Sequence, residues 1–443
     1  MADGNRTTAI IGGGFSGAML AARLAEEGLP SLLIDRTGNF GAGVAYSTGL
    51  DRHLLNVRAN RMSAVEGRPD DFVRWLETHH PRHADPEGFV PRRLYGLYVQ
   101  DRLARTEASH PGLIERLTGE AAAIEGSTVR LADGQRIEAD AVVLATGNPS
   151  PRTAPGDGAG RIVVDPWAEG ALDRVAAEDA VLIFGTGLTM VDVVLGLLEK
   201  GWQGRATALS RRGLLPRAHG EVHDPAVPPT PALTEGPASR RLAEGRRMAG
   251  ESGWRGVMEG LRPITADLWS AADAPTRGRW LRHLRPWWDV HRHRIAPGIA
   301  ATLESLQSAG RLTVGAGRVR QARETADGVE VVWTPRGGQG ERRTSADWLI
   351  DCSGPGHDPA TQAPMASLIE AGRARLDPLG LGLELDAAGR AIRADGSVDP
   401  RLFVLGPPAR AAYWETVAVP DIRKRIEIVT AALAAPDQTS ASR

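Results

Sequence analysis

A single cysteine, Cys352, occurs in the 443-residue chain. Without a second thiol there can be no intramolecular disulfide, no CxxC pair and no protein dithiol to carry electrons. Lysine is almost as scarce, since among 53 cationic side chains only Lys200 and Lys424 are lysines. Neither stands in a GxxxxGK[ST] setting, which excludes a P-loop nucleotide hydrolase, and so few lysines disfavour a Schiff-base enzyme. Net charge is lacking too: 53 cations against 54 carboxylates leave −1, so no whole-protein field favours nucleic acid or an anionic membrane as partner. No apolar run approaches the roughly 18 residues of a spanning helix. The first ten residues lack the basic and apolar regions of a secretion signal. The expected placement is the cytoplasm.

What is present is length enough for two or three domains and a plan that occurs twice. Residues 7–11 read as a buried strand, 12–17 as a tight turn, 18–27 as a helix and 31–34 as a second strand closing on Asp35. Residues 50–110 are helical and loop-like. Strands 128–131 and 136–139 flank the hairpin signal Asp133-Gly134, and the apolar strand 141–145 runs into Thr146-Gly147. The Pro- and Gly-rich stretch 148–160 reads as a connection. The second half then repeats strand (180–184), glycine turn (185–187), helix (191–199) and strand (206–209), followed by Ser210-Arg211-Arg212. A proline-rich insertion leads into helical segments to about residue 309, then a hairpin signal at Asp327-Gly328 and a strand at 348–350. Residues 436–443 read as a frayed, disordered polar tail.

The turns carry the chemistry. Gly12-x-Gly14-x-x-Gly17 stands between strand and helix: Gly12 permits the tight turn, Gly14 lets the backbone approach a pyrophosphate, and Gly17 permits close packing of helix on strand. Asp35, with Arg36 beside it, lies 23 residues after Gly12, where a carboxylate can accept from ribose hydroxyls. The second turn keeps Gly185 and Gly187 but has Met190 in the third place. No acid closes its second strand; Arg211 and Arg212 stand there, 26 and 27 residues after Gly185. An arginine fork suits a 2′-phosphate that a carboxylate would repel. The pair of units therefore suggests FAD in the first and NADPH in the second, with NADH possible. Small residues at Ala145-Thr146-Gly147 would let backbone pass close to the first cofactor.

Beyond these turns, DRHLLNVRANRMSAVEGRPDDFVRWL, FVPRRLYGLYVQDRL, VLIFGTGLTMVDVVLGL with ALSRRGLLPRAHG, RHLRPWWDVHRHRIAP and LFVLGPPARAAYWETVAVPDIR occur in the chain. Together they resemble the FAD/NAD(P)-binding flavoproteins that include the HpyO-type urate hydroxylases and the CreE-type amine N-oxygenases. The resemblance implies an α/β fold related to glutathione reductase: two Rossmann-like dinucleotide-binding domains of three-layer ββα type with helical insertions. Residues 1–155 and 345–435 would form a discontinuous FAD domain. Residues 156–344, with a helical insertion at about 221–309, would form the NAD(P)H domain. It also implies that Asn56, Met62, Ser63, Thr146 and Gly147 bind FAD, and that Gly406 and the turn Trp414-Glu415-Thr416 lie near the flavin ring. There, N–H groups at the start of the last helix could face the flavin carbonyl on which negative charge develops. The chain departs from the pattern at Ala42 and Ala411, where a bulkier residue and a glycine are expected.

The implied activity is that of an NAD(P)H-dependent flavin monooxygenase. It inserts one oxygen of O2, through a C4a-hydroperoxyflavin, into a small electron-rich substrate, by urate- or purine-type hydroxylation or by amine N-oxygenation. Alternatives are a flavin reductase or dehydrogenase without oxygen insertion, and a non-catalytic FAD/NADPH redox sensor. Around RPWWDVHRHRIAP, the residues Trp288, Ile295 and Ile299 read as one helix face packing the middle domain, with His291 one turn above. In the alternative reading His291 or Arg285 faces the substrate as a catalytic group. An HxH pair without accompanying acids or cysteines predicts no metal site. The oligomeric state is left open.

Overall fold

In a computed structural model that describes residues 7–149, 160–222, 224–338, 340–354 and 358–435, the chain builds two sheets of shared design. The first runs from edge to edge as Arg390–Ile392, Val398–Val404, Ala141–Leu144, Thr8–Ile11, Ser31–Asp35 and Ile114–Thr118. Every neighbouring pair is parallel except the first. Thr8–Ile11 is buried at every residue, as a strand covered on both faces must be. With side chains alternating across the sheet, Ile10 packs with Leu20 and Leu24 of helix Phe15–Glu26, while Ala9 and Ile11 pack with Ile124, Val129 and Leu131. The latter belong to a three-stranded antiparallel sheet of Ala121–Glu125, Thr128–Leu131 and Arg136–Glu138, with Gly134 at φ 93° in the expected hairpin. Helices, parallel sheet and antiparallel sheet make the expected three layers.

The second sheet is ordered Arg342–Ala346, Gly328–Pro335, Leu312–Thr325, Ala206–Ser210, Val181–Phe184, Trp348–Asp351 and Ile162–Val163. Here one 14-residue strand, Leu312–Thr325, serves two layers. Its first half is parallel to Ala206–Ser210, and its second half is antiparallel to Gly328–Pro335. In the first unit the same task falls to two strands, Ile114–Thr118 and Ala121–Glu125, which the sequence reading placed in no element. Among the described residues no helix is long and apolar enough to cross a membrane.

Three expectations shift. Trp348–Asp351 pairs with Val181–Phe184 inside the second sheet, so the border expected at 344/345 falls after Asp351; buried Trp348, Leu349 and Ile350 suit a strand with a neighbour on each side. Helix Pro297–Ser308 puts Ile299, Leu303 and Leu306 into the second core, so it is the crossover to Leu312 and the insertion ends before it. The face expected to join Trp288 to Ile295 and Ile299 is split, because the helix Arg285–Arg292 stops and another starts at Pro297. Proline cannot continue a helix and holds the preceding residue extended, as Ala296 is, at ψ 146°. The 155/156 border and the tail 436–443 lie outside the described residues.

Candidate functional site: two glycine cradles and a buried polar junction

The first cradle forms where Thr8–Ile11 gives way to helix Phe15–Glu26. Gly12 has φ 109°, and a Cβ there would overlap the carbonyl oxygen of Ala145. A Cβ on Gly17 would overlap the carbonyl oxygen of Gly12. Both glycines are therefore demanded by the fold. Gly14 is not: a Cβ would meet nothing nearer than Gly43 Cα at 3.5 Å. Gly14 caps the helix without any side-chain hydrogen bond, and the first-turn N–H groups of such a helix start suit an anion. Asp35 closes the cradle. Its Oδ2 accepts from Gly13 N at 2.8 Å, and its Oδ1 accepts from Thr37 N at 2.8 Å and Thr37 Oγ1 at 2.7 Å. Oδ2 retains acceptor capacity for a ribose hydroxyl. Arg36 beside it is exposed.

The second cradle repeats this frame. Gly185 has φ 97°, and a Cβ there would overlap the Cys352 carbonyl oxygen. Gly187 caps helix Leu188–Glu199 without a side-chain bond, and a Cβ on it would meet nothing within 4 Å. The third position differs. Met190 is fully buried in the second core, and the Val191 N to Gly187 O bond is 3.3 Å where its counterpart, Ala18 N to Gly14 O, is 2.9 Å. In the place of Asp35 stands Ser210, whose Oγ accepts from Gly213 N at 2.9 Å and from Thr186 Oγ1 at 2.9 Å. Arg211 is exposed and has no partner among the described residues. Arg212 leans on the insertion: its Cζ lies 6.0 Å from the Trp287 ring centroid and its Nη2 is 3.4 Å from the Arg282 carbonyl. Cys352 is buried behind this cradle, and burial, then Asp351 and Asp192, push its thiol up. A thiol so held is inert.

Across the first cradle, Gly147 at φ 73° has nothing within 4 Å of a Cβ position, and Thr146 Oγ1 donates to Gln362 Oε1 at 2.9 Å. Gly406, at φ 74°, lies against Ser16 Oγ, so the end of Val398–Val404 closes on the start of the first helix. The Asn56 carbonyl accepts from His219 Nε2 at 3.0 Å. Met62 packs into the first core, and Ser63 is fully buried with its hydroxyl on Val65. Of the two departures from the family pattern, Ala42 and Ala411 are both buried.

The turn at 414–416 meets the insertion in a buried polar junction. Trp414, at φ 57°, is the only non-glycine residue with positive φ among the described residues, a conformation that costs energy and needs external support. Support comes from Trp269, stacked at 4.6 Å and 29°, and from the Arg410 guanidinium 4.4 Å above the ring. Trp269 Nε1 donates to the Ala411 carbonyl at 2.7 Å. Glu415 Oε1 accepts from Trp288 Nε1 at 2.9 Å, and its Oε2 lies 3.3 Å from Arg292 Nη2, which is 4.0 Å from Asp421 Oδ2. Burial pushes the Asp421 carboxyl up against the pull of Arg292 and Arg262, pushes Arg262 down to about 10 beside Arg292, and lowers His293. Arg292 Nε, Arg410 Nε and Thr416 Oγ1 are buried without hydrogen-bond partners.

Helical spacing divides the residues of Arg285–Arg292. Trp288 and Arg292 face Glu415, with Arg285 on the same side, its Nε 3.3 Å from Asp289 Oδ2. His291 and Trp287 share another side, where His291 donates from Nδ1 to the Trp287 carbonyl at 2.7 Å and meets Trp254 edge-on at 4.8 Å. Sequence reading missed Arg292, Trp269 and Asp421. Only Asp421, an acid in the first turn of Val419–Ala434, carried a local signal. Among the described residues no cluster of metal-ligating side chains occurs.

A sequence-family model described as FAD-NAD(P)-binding matches residues 9–149. No curated protein sequence matches the chain. Among solved structures, L-lysine 6-monooxygenase from Pseudomonas syringae is similar with a TM-score of 0.65 at 16% identity, over 97% of this chain and 99% of that one. The ornithine N-hydroxylase of Kutzneria sp. 744, in a complex with FADred, NADP+ and L-orn, gives a TM-score of 0.63 at 16% identity over 97% and 99%. DfoA bound to FAD, the cadaverine monooxygenase of Erwinia amylovora, gives a TM-score of 0.65 at 14% identity over 96% and 94%. The chain has the fold of the two-dinucleotide-domain flavoproteins, with its FAD-NAD(P)-binding match in residues 9–149.

Proposed function

We propose that this chain is a cytoplasmic FAD-dependent, NADPH-using monooxygenase that oxygenates a primary amine of a small molecule. The observation that carries the reading is the pair of cradles with one steric frame and opposite polar ends: Asp35 in the first, Ser210 with Arg211 and Arg212 in the second. Three similar structures are, by their names, monooxygenases or hydroxylases of lysine, ornithine and cadaverine, and the single buried thiol leaves no dithiol for a disulfide reductase.

FAD fits the first cradle, where Gly14 and Gly147 leave room and Asp35 can accept from ribose. Bound there, it would take hydride from NADPH and activate O2 for transfer of one oxygen atom. The residues of the chain bind and enclose. The Phe15–Glu26 N-terminus would hold the pyrophosphate, and Gly187 with Arg211 and Arg212 would hold NADPH. Trp269, Trp288 and Trp414 would keep water from the ring end. Arg285, on the Glu415 side of its helix, is the better placed of the two candidate substrate contacts; His291 would act from the Trp254 side.

The test is NADPH oxidation by FAD-loaded protein with a panel of primary amines, hydroxylamine product being quantified against hydrogen peroxide. We expect at least one amine to be converted into its hydroxylamine in near-equal amount to the NADPH oxidised, with little peroxide. Peroxide alone with every amine would overturn N-oxygenation; an oxygenated purine would move the reading to purine hydroxylation, and failure of NADPH to reduce the flavin to a sensor.

A further inference from the structure

The insertion's segment 277–294 contains Arg277, Arg279, Arg282, Arg285, Arg292 and Arg294 against a single acid, Asp289. Its tryptophan Trp287 is 37% exposed. What lies over that ring is the Arg212 guanidinium, at 6.0 Å, with Nη2 3.4 Å from the carbonyl of Arg282 at the end of helix Ala274–His283. Arg212 therefore reaches out of the second cradle and is held by two elements of the insertion. Ser210 and Gly213 set its starting direction: Gly213, at φ 61°, donates from its N to Ser210 Oγ at 2.9 Å. Its neighbour Arg211 has no such support among the described residues.

We infer that Trp287 is a positioning residue for Arg212, and that the insertion thereby takes part in choosing a dinucleotide bearing a ribose 2′-phosphate. This rests on the reading of the second cleft as the NADPH site. A flat ring beneath a guanidinium removes water from one face and restricts the long side chain, leaving the N–H edge for phosphate oxygens. A free arginine would have to lose that rotamer freedom on binding. The ring stands on helix Arg285–Arg292 of the insertion, outside the glycine turn that would hold the pyrophosphate, so NAD+ should not sense it.

The experiment is equilibrium binding of NADP+ and of NAD+ to FAD-loaded protein. Trp287→Ala should weaken NADP+ about threefold to fivefold, as expected for an exposed cation–ring contact, with NAD+ unchanged within about twofold. Trp287→Phe, which keeps a ring, should restore most of the loss. Arg212→Gln should weaken NADP+ more than tenfold, and Trp287→Ala added to it should do nothing further, because coupled residues are not additive. If the wild type binds NADP+ no better than NAD+, the reading of the second cleft fails. If the wild type discriminates but Trp287→Ala weakens both dinucleotides equally, weakens neither, or has its full effect in the Arg212→Gln background, this inference fails and that reading stands.

Discussion

The two cradles differ least where the backbone is crowded and most where a ligand would arrive. Gly12 and Gly185 both stand at positive φ beneath a carbonyl oxygen from the end of a neighbouring strand, Ala145 in one case and Cys352 in the other. Gly14 and Gly187 both cap a helix and leave space for a ligand. At the third position one unit needs glycine and the other buries a methionine, so that glycine serves packing alone. At the closing position a carboxylate faces a hydroxyl and two arginines. Steric necessity preserves the turn, and on the proposed function the charge at the closing position would assign each copy its dinucleotide.

Breaking the frame should cost most. Gly12→Ala, Gly17→Ala or Gly185→Ala should each lose about 4 kcal/mol of stability, from overlap and, at the first and third, a strained φ. Urea unfolding would show it. Gly14→Ala and Gly187→Ala should leave that midpoint nearly unchanged. Met190→Gly should cost about 3 to 4 kcal/mol by opening a cavity in the second core, yet leave NADP+ affinity within about twofold by titration.

The seam between the units has its own signature. Burial, reinforced by Arg294 and Arg58 and opposed by the bond to Asn56, depresses the His219 imidazole from 6.5 to about 4. Between those values the unfolded chain binds a proton that the folded one refuses, so stability falls as pH drops through that window, by roughly 3 kcal/mol. His219→Gln should flatten this acid limb in urea midpoints measured from pH 7 to 4.5. A smaller effect is a shift of preference: Ser210→Asp, which puts the first cradle's acid into the second, should move the NADP+ to NAD+ affinity ratio about tenfold toward NAD+, or roughly 1.4 kcal/mol.

Both cradles were legible because their signals are local: glycines at fixed spacing, an apolar strand before and an amphipathic helix after. The strands Ile114–Thr118 and Ala121–Glu125 were not, since one is largely exposed and the other is mostly alanine. The place of Trp348–Asp351 in the second sheet depends on pairing with Val181–Phe184, which no local pattern encodes. The polar junction was half legible. WET pointed to the turn, but its partners Trp269, Trp288 and Arg292 come from the insertion, where arginine is too common to mark one side chain. The substrate-side candidates divide for a reason helical spacing supplies: Arg285 shares a side with Trp288 and Arg292, while His291 shares one with Trp287.

The most direct test titrates FAD and NADP+ separately into Gly14→Ala and Gly187→Ala proteins, both of which should fold. Gly14→Ala should lose FAD and keep NADP+, while Gly187→Ala should lose NADP+ and keep FAD. Loss of the same ligand from both variants, or of neither from either, would overturn the assignment of one dinucleotide to each cradle.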